Sequence, residues 1–418
     1  MKERILFVLI GLLVLGLMYV EIEWNVITGN MRSSRSSNGI RNEMGVMVIM
    51  RPGDLRDIDD DIHHVWSGGS VEEDAMCENM MDPIILIGTD GSGTRVPTRA
   101  LSKMGVSILV DPDVAHQMDI DGSEVGLHFT KLIRDLLCIT GGPNYKLENL
   151  PKEIQKRILS SVRPWILFIR AQACKIAKKR KSLETFRFGF KKPDLIYFIP
   201  VLRHFWPNAK FVHIIRDGRD MALSKNEAVY QKYAASMFGE GCDRPKNDDD
   251  DDDDSMTLND FMNLSKAARM AYLWSRSNVG VQNLFSGSEF EDSRHVVRVE
   301  DLNAQDDRSV DSYTALARFA RLNDVGICMV CEIRAQIQST FMGSFDATLE
   351  QKSGKTKNAA FLNYGKWKPL ANTDPDLLSS IDVAAREGLQ VYHYYKNPTS
   401  SPSSLNVCSR IKCRKLDE

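Results

Sequence analysis

The sequence predicts an α/β fold: a P-loop-like parallel sheet with helices on both faces, preceded by an N-terminal membrane anchor and a stem. Three observations predict it. Short apolar runs, Ile84-Ile85-Leu86-Ile87 and Phe211-Val212-His213-Ile214-Ile215, lack the polar alternation of a half-wet strand and read as strands buried on both faces. Helical patterns alternate with strand patterns almost throughout the chain beyond Pro83. The first apolar run passes into a helix through a glycine-rich turn, Gly88 to Gly93.

The elements follow in order. Ile5 to Val20 carries no charge, with Lys2 and Arg4 before it and Glu21 and Glu23 after it. As a helix this stretch spans about 24 Å at about 1.5 Å per residue, suited to a thin early-secretory membrane. The positive flank keeps the N-terminus cytosolic and puts the remainder in the lumen. A cleaved signal peptide is the competing reading, although no A-x-A-like site follows the run. Residues 1–20 are therefore read as a cytosolic tip and signal-anchor helix. Residues 21–82, Ser- and Asp-rich without a sustained apolar period, read as a flexible lumenal stem. Residues 83–396 form the folded domain. Helices are expected at about 122–138, 151–161 and 164–180, over Leu195–Phe205, from Gly218 onward, and from Leu258 to Leu284. Further strands are expected over Phe186–Gly189 and Val296–Val299. Seven consecutive aspartates, Asp248 to Asp254, mark a disordered insertion over about 240–256. Residues 397–418, Ser/Pro-rich and then basic, read as a tail outside the core.

Apolar residues make up 43% of the 418, enough for a substantial core. The net charge of −2 conceals the aspartate tract; the rest of the chain is mildly basic, which suits an anionic nucleotide donor or an anionic acceptor. No nucleic-acid-binding motif is present, so no nucleic acid is expected as a partner. Among eight cysteines, Cys328 and Cys331 form a C-x-x-C, but no second pair has zinc-finger spacing and no metal site is expected. In a lumen, some of the eight can pair. Asn263-Leu264-Ser265 is a glycosylation sequon on an expected helix.

Two motifs carry chemistry. In Gly88-Thr89-Asp90-Gly91-Ser92-Gly93-Thr94-Arg95, the glycines let backbone N–H groups turn inward around an anion, and the following helix N-terminus adds partial positive charge. The G-x-x-x-x-G frame matches a nucleoside triphosphate loop. Thr94, however, stands where that loop needs a lysine, which argues against a kinase or ATPase. The second motif is the strand Phe211–Ile215 running into Arg216-Asp217-Gly218-Arg219-Asp220, with Ser224 eight residues after Arg216. An arginine at a strand end can fork onto a phosphate, and a serine two turns along the next helix can donate to the same group. Asp217, Arg219 and Asp220 are expected to brace the loop through salt bridges. His213, inside the strand, reads as a core histidine.

In this order the two motifs resemble the nucleotide signatures of the sulfotransferases that use 3′-phosphoadenosine 5′-phosphosulfate (PAPS). Ser92-Gly93-Thr94 is similar to the family's loop for the donor 5′-phosphate, and the form G-S-G-T-R resembles a microbial and algal branch. Arg216 and Ser224 match the pair that holds the 3′-phosphate. Phe188-Gly189-Phe190-Lys191-Lys192-Pro193, Trp274 with Asn278, Val297 to Leu302, and Tyr364-Gly365-Lys366-Trp367-Lys368 resemble lesser motifs, so the likeness covers about residues 83–395. It implies sulfuryl transfer from PAPS, without a metal, to a hydroxyl or amine of an acceptor, foremost a glycan. The location implied is the Golgi, as a single-pass type II membrane protein, with secretion the alternative. The donor-binding residues implied are Gly91, Ser92, Gly93, Thr94, Arg95, Arg216, Ser224 and Lys366.

Sulfuryl transfer needs in-line geometry and neutralisation of charge on the leaving phosphate. The family's usual cation falls at Gly91, so Lys191 is assigned to the bridging oxygen and Arg95 to the 5′-phosphate. General-base candidates are His116, Asp119, Asp121, Glu124 and His128, with Asp119 and Glu124 preferred because such families place a carboxylate there. Two other readings stand beside this one: a nucleotide-binding protein that lost turnover at Gly91, and a P-loop nucleotide kinase.

Overall fold

The apolar runs assemble into a parallel sheet. A computed structural model describes residues 82–110, 129–180, 186–224, 228–239, 242, 256–304, 306–322, 324–342, 365–395 and 408. Among them the strands are β1 (Ile84–Gly88), β2 (Ser107–Leu109), β3 (Phe188–Lys191), β4 (Lys210–Ile215) and β5 (Arg294–Arg298), side by side as β2-β3-β1-β4-β5. Every neighbouring pair is parallel, with Leu86 opposite Lys191 on one side and Val212 on the other. The helices are α1 (Arg95–Lys103), α2 (Phe129–Thr140), α3 (Lys152–Arg180), α4 (Ile199–Phe205), α5 (Gly218–Ala222), α6 (Ala228–Met237), α7 (Leu258–Asn263), α8 (Lys266–Leu284), α9 (Val299–Leu302), α10 (Asp307–Phe319), α11 (Ile327–Met342), α12 (Leu370–Thr373) and α13 (Pro375–Val391).

Side chains alternate across the sheet, so each strand feeds two cores. Ile84, Leu86, Val212, Ile214 and Val297 pack with α1, α10 and α11. Ile85, Ile87, Phe190 and Phe211 pack with α2, α3, α4, α8 and α13. Both faces are therefore covered, as the continuous apolar runs require.

Several elements differ from expectation. The two helices expected at 151–161 and 164–180 are one, α3, with Pro164 inside it. A mid-helix proline costs about 3 kcal/mol. Val162, Trp165, Ile166 and Ile169, all buried, form one stripe across it. At about 1.5–3 kcal/mol per large apolar side chain, their burial outweighs the break. The helix expected from Leu258 to Leu284 is instead two, because Leu264 is extended and Ser265 caps α8 by accepting the Ala268 N–H at 3.2 Å. Asn263 of the sequon is thus an exposed helix end. Strand β2 was not expected: three residues are too short to show a period, and pairing with β3 creates it. Strand β3 lies two residues later than expected, which puts Lys191 inside the sheet. The helix expected over Leu195–Phe205 begins instead as a 3₁₀ turn, Pro193–Tyr197, and restarts as α4 with Pro200 in its first turn.

Disulfides join Cys138 on α2 to Cys242, and Cys331 on α11 to Cys408, the one described residue of the expected tail. Cys174 and Cys328 are disulfide-bonded as well. The expected anchor, the stem up to residue 81 and the aspartate tract lie outside the described residues, among which no helix is long and apolar enough to cross a membrane.

Candidate active site

In an open parallel sheet, ligands bind beyond the strand C-termini where neighbouring connections leave in opposite directions. That point lies between β1, whose connection runs toward β2, and β4, whose connection runs toward β5. Both sequence motifs meet there. Gly91 and Gly93 have φ of +87° and +86°, a left-handed conformation that side chains resist. A Cβ on Gly93 would lie 2.7 Å from Val299 Cγ2. The Ser92 N–H donates to Thr89 O at 3.0 Å and closes the turn.

The loop holds two hydroxyls whose needs the described protein does not meet. Ser92 is 0% exposed and Thr89 4%, yet Ser92 Oγ and Thr89 Oγ1 make no hydrogen bond among the described residues. A buried hydroxyl left unpaired costs about 1–3 kcal/mol. Thr94 starts α1 without using its side chain as a cap. Hydroxyl donors beside a helix N-terminus fit the oxygens of an anion.

Arg216 leaves the end of β4 and is 7% exposed. Its Nη1 donates to Gly91 O at 3.5 Å, which ties the second motif to the first. Its Nη2 lies 3.8 Å from Asp220 Oδ2. The Asp220 carboxylate also accepts the Gly365 N–H at 2.8 Å and the Lys366 N–H at 2.7 Å. Burial pushes the Asp220 pKa up despite the opposing pull of these donors and of Arg216. Ser224 is beside the loop as well: a Cβ on Gly91 would sit 3.8 Å from Ser224 Oγ and 3.3 Å from Met221 Cε.

The structure therefore brings Gly91, Ser92, Gly93, Thr94, Arg216, Ser224 and the backbone of Lys366 to one end of the sheet. Arg95 occupies the first turn of α1, partly exposed, and Lys191 is buried at the end of β3 beside Leu86. The geometry also gives a reason for Gly91. A cationic side chain there would be strained by the positive φ and would press on Met221. Asp119 and Glu124, with His116, Asp121 and His128, lie outside the described residues.

A ring of polar contacts braces the turn after β4. Asp217 accepts from the Arg219 backbone N–H at 2.9 Å and from Arg219 Nη2 at 2.7 Å. The Arg219 guanidinium stacks 3.7 Å from the Trp367 ring centroid and lies 3.8 Å from Asp382. Trp367, from the Tyr364–Lys368 motif, is thus engaged by Arg219. Asn278 accepts from His213 Nε2 at 2.9 Å, and burial pushes the His213 pKa down to about 3, so this histidine is a neutral core residue.

Glu300 accepts the Asp217 N–H at 2.8 Å and the Tyr394 hydroxyl at 3.0 Å. Burial is the main cause that lifts its pKa from 4.5 to about 7, and the Asp217 charge adds to it. An acid raised on folding stabilises the fold fully below its unfolded pKa, and this contribution is lost as pH rises through the folded value. Unfolding free energy is thus expected to fall by on the order of 2 kcal/mol between pH 4.5 and about 7 from this group. Denaturant unfolding of Glu300→Gln, which stays neutral, is expected to lose that part of the slope; an unchanged slope would refute the assignment.

Asp194 lies just beyond the motif Phe188 to Pro193 and is not among the residues expected from the sequence. It is the second residue of the 3₁₀ turn that follows β3, and it accepts the Tyr233 hydroxyl at 3.1 Å. The available signal was its place three residues beyond Lys191.

No family model and no curated protein matches this chain. Among the solved structures similar to it are two sulfotransferases. One is the sulfotransferase domain from the Synechococcus PCC 7002 olefin synthase, at 15% identity over 77% of this chain and 98% of that one, with a TM-score of 0.32. The other is a sulfotransferase from Mycobacterium tuberculosis H37Rv, at 14% identity over 63% of this chain and 79% of that one, with a TM-score of 0.26.

Proposed function

We propose that this protein is a sulfotransferase that moves a sulfuryl group from PAPS to a hydroxyl or amine of an acceptor, foremost a glycan. The observation that carries the reading is the pairing of the unsatisfied Ser92 and Thr89 hydroxyls with Arg216 at the β1/β4 crevice. A donor with phosphates at both ends of its ribose needs two anion sites on one rigid edge. Ser92, Thr94, the loop N–H groups and Arg95 hold the 5′-phosphate in this reading; Arg216 and Ser224 hold the 3′-phosphate. Lys191 places its ammonium at the bridging oxygen and neutralises the charge that grows there as the S–O bond breaks. Its burial excludes water and strengthens that interaction.

The disulfides support an oxidising lumen, hence the Golgi-membrane or secreted location. An anionic glycan is favoured by the outer face of α3, where Lys152, Lys156, Arg163, Lys175, Lys178 and Lys179 are exposed.

Calorimetry with 3′-phosphoadenosine 5′-phosphate tests the reading. Micromolar or tighter binding, indifferent to magnesium, is expected; preference for ATP with magnesium would replace it with a kinase. Transfer of labelled sulfate from PAPS to a glycan panel then separates an enzyme from a protein that only binds the nucleotide.

A further inference from the structure

We propose that Asp194 is the general base of this reaction, taking the proton of the acceptor hydroxyl; the assignment rests on the sulfuryl-transfer reading above. The first support is position. Lys191 ends β3, and Asp194 follows it in the first turn of the 3₁₀ segment, which packs against β1. Asp194 is also near enough to Asp90 of the glycine loop for the Asp90 charge to act on it. The carboxylate therefore follows Lys191 by three residues at the C-terminal end of the strands, the end that carries the glycine loop.

The second support is how the carboxylate is held. The Tyr233 hydroxyl donates to Oδ2 at 3.1 Å, and Tyr233 is 1% exposed, its ring 5.6 Å from that of Tyr197. Tyr197 is in turn fixed by a 3.0 Å hydrogen bond to Ser277 on α8. One carboxylate oxygen is thus held by a buried aromatic pair, and Asp194 itself is only partly buried. Burial raises the Asp194 pKa most; Lys192 opposes it, Asp90 adds to it, and the Tyr233 hydrogen bond and Lys232 oppose it, with a net rise. A carboxylate raised toward neutrality is a better proton acceptor than an ordinary one.

The step balances. The acceptor O–H bond breaks and its proton goes to Asp194. The oxygen forms a bond to sulfur while the bond from sulfur to the 5′-phosphate oxygen breaks, and that electron pair stays on the phosphate. Products are the sulfate ester, 3′-phosphoadenosine 5′-phosphate and protonated Asp194, which then returns its proton to water. Nothing is oxidised or reduced.

The bland alternative is that Asp194 only ties α6 to the turn after β3. Asp194→Asn separates the two, because the amide oxygen still accepts from Tyr233. On the base assignment kcat falls on the order of 10²- to 10⁴-fold. The affinity for 3′-phosphoadenosine 5′-phosphate stays within about twofold by calorimetry, and the acidic limb of the pH–rate profile disappears. A carboxyl resonance that titrates above the ordinary aspartate range is present in the wild type and absent from the variant. Tyr233→Phe removes a contact that lowers the pKa, so it moves the acidic limb to higher pH, which a purely structural tie would not do. Wild-type turnover with an Asn variant of near-normal kcat and unchanged limb overturns the proposal, and so does a variant that no longer binds the nucleotide. Absence of sulfuryl transfer by the wild type overturns the reading beneath it instead.

Discussion

Replacing Arg216 by Ala is expected to weaken binding of 3′-phosphoadenosine 5′-phosphate by on the order of 30- to 1,000-fold, about 2–4 kcal/mol. The guanidinium is almost wholly buried between the Gly91 carbonyl and the Asp220 carboxylate. A phosphate placed against it receives a forked, charge-assisted pair of donors in a site that water reaches poorly. Its loss has a second consequence. Asp220, 1% exposed, keeps the Gly365 and Lys366 N–H donors but loses its cation, so its pKa is expected to rise further and its hold on that turn to loosen. Arg216→Lys retains the charge without the fork and is expected to recover only part of the affinity. Calorimetry of the three proteins at fixed ionic strength decides the matter; equal affinity for wild type and Arg216→Ala would remove Arg216 from the site.

Trp274→Ala carries the largest expected cost in stability, about 3–5 kcal/mol, a large share of the 5–15 kcal/mol typical of a domain. The indole is fully buried and lies between two glycines: a Cβ on Gly218 would come within 2.3 Å of the ring and one on Gly388 within 2.5 Å. The ring therefore lets α5, α8 and α13 approach to contact distance. Gly218 opens α5, directly after Asp217. A cavity there undermines the turn that carries Arg216 and Asp220, so nucleotide affinity is expected to fall along with stability. Urea unfolding with an unchanged m-value and a lowered midpoint is the expected result. Gly218→Ala is expected to destabilise by about 1–3 kcal/mol through overpacking. A Trp274→Ala midpoint within error of the wild type would show that the ring is not the spacer.

Much of the fold was legible because its determinants are local. Ile84–Ile87 and Phe211–Ile215 are continuous apolar runs, and only a sheet covered on both faces buries every residue of such a run. The glycines of the loop were legible for the same reason, since a positive φ is a demand on one residue at a time. Elements whose fate depends on distant partners were misjudged. Pro164 reads as a break in isolation and is overridden by a buried stripe on both its sides. Ser107–Leu109 is a strand only because β3 lies beside it.

The candidate site divides along the same line. The sequence by itself determined a glycine-rich turn between a buried strand and a helix, and an arginine at the end of a second buried strand. These are matters of spacing along one chain. The tertiary structure alone decided that Arg216 reaches Gly91 across 125 residues, that Asp220 holds the backbone of Lys366 across 146, and that Glu300 and Tyr394 brace the turn at Asp217. It alone put Asp194, in the turn after β3, within a hydrogen bond of Tyr233 on α6. The physical reason is that hydrogen bonds and charges act over a few ångströms of space, whatever the distance along the chain, and only the order and direction of the strands bring those few ångströms about.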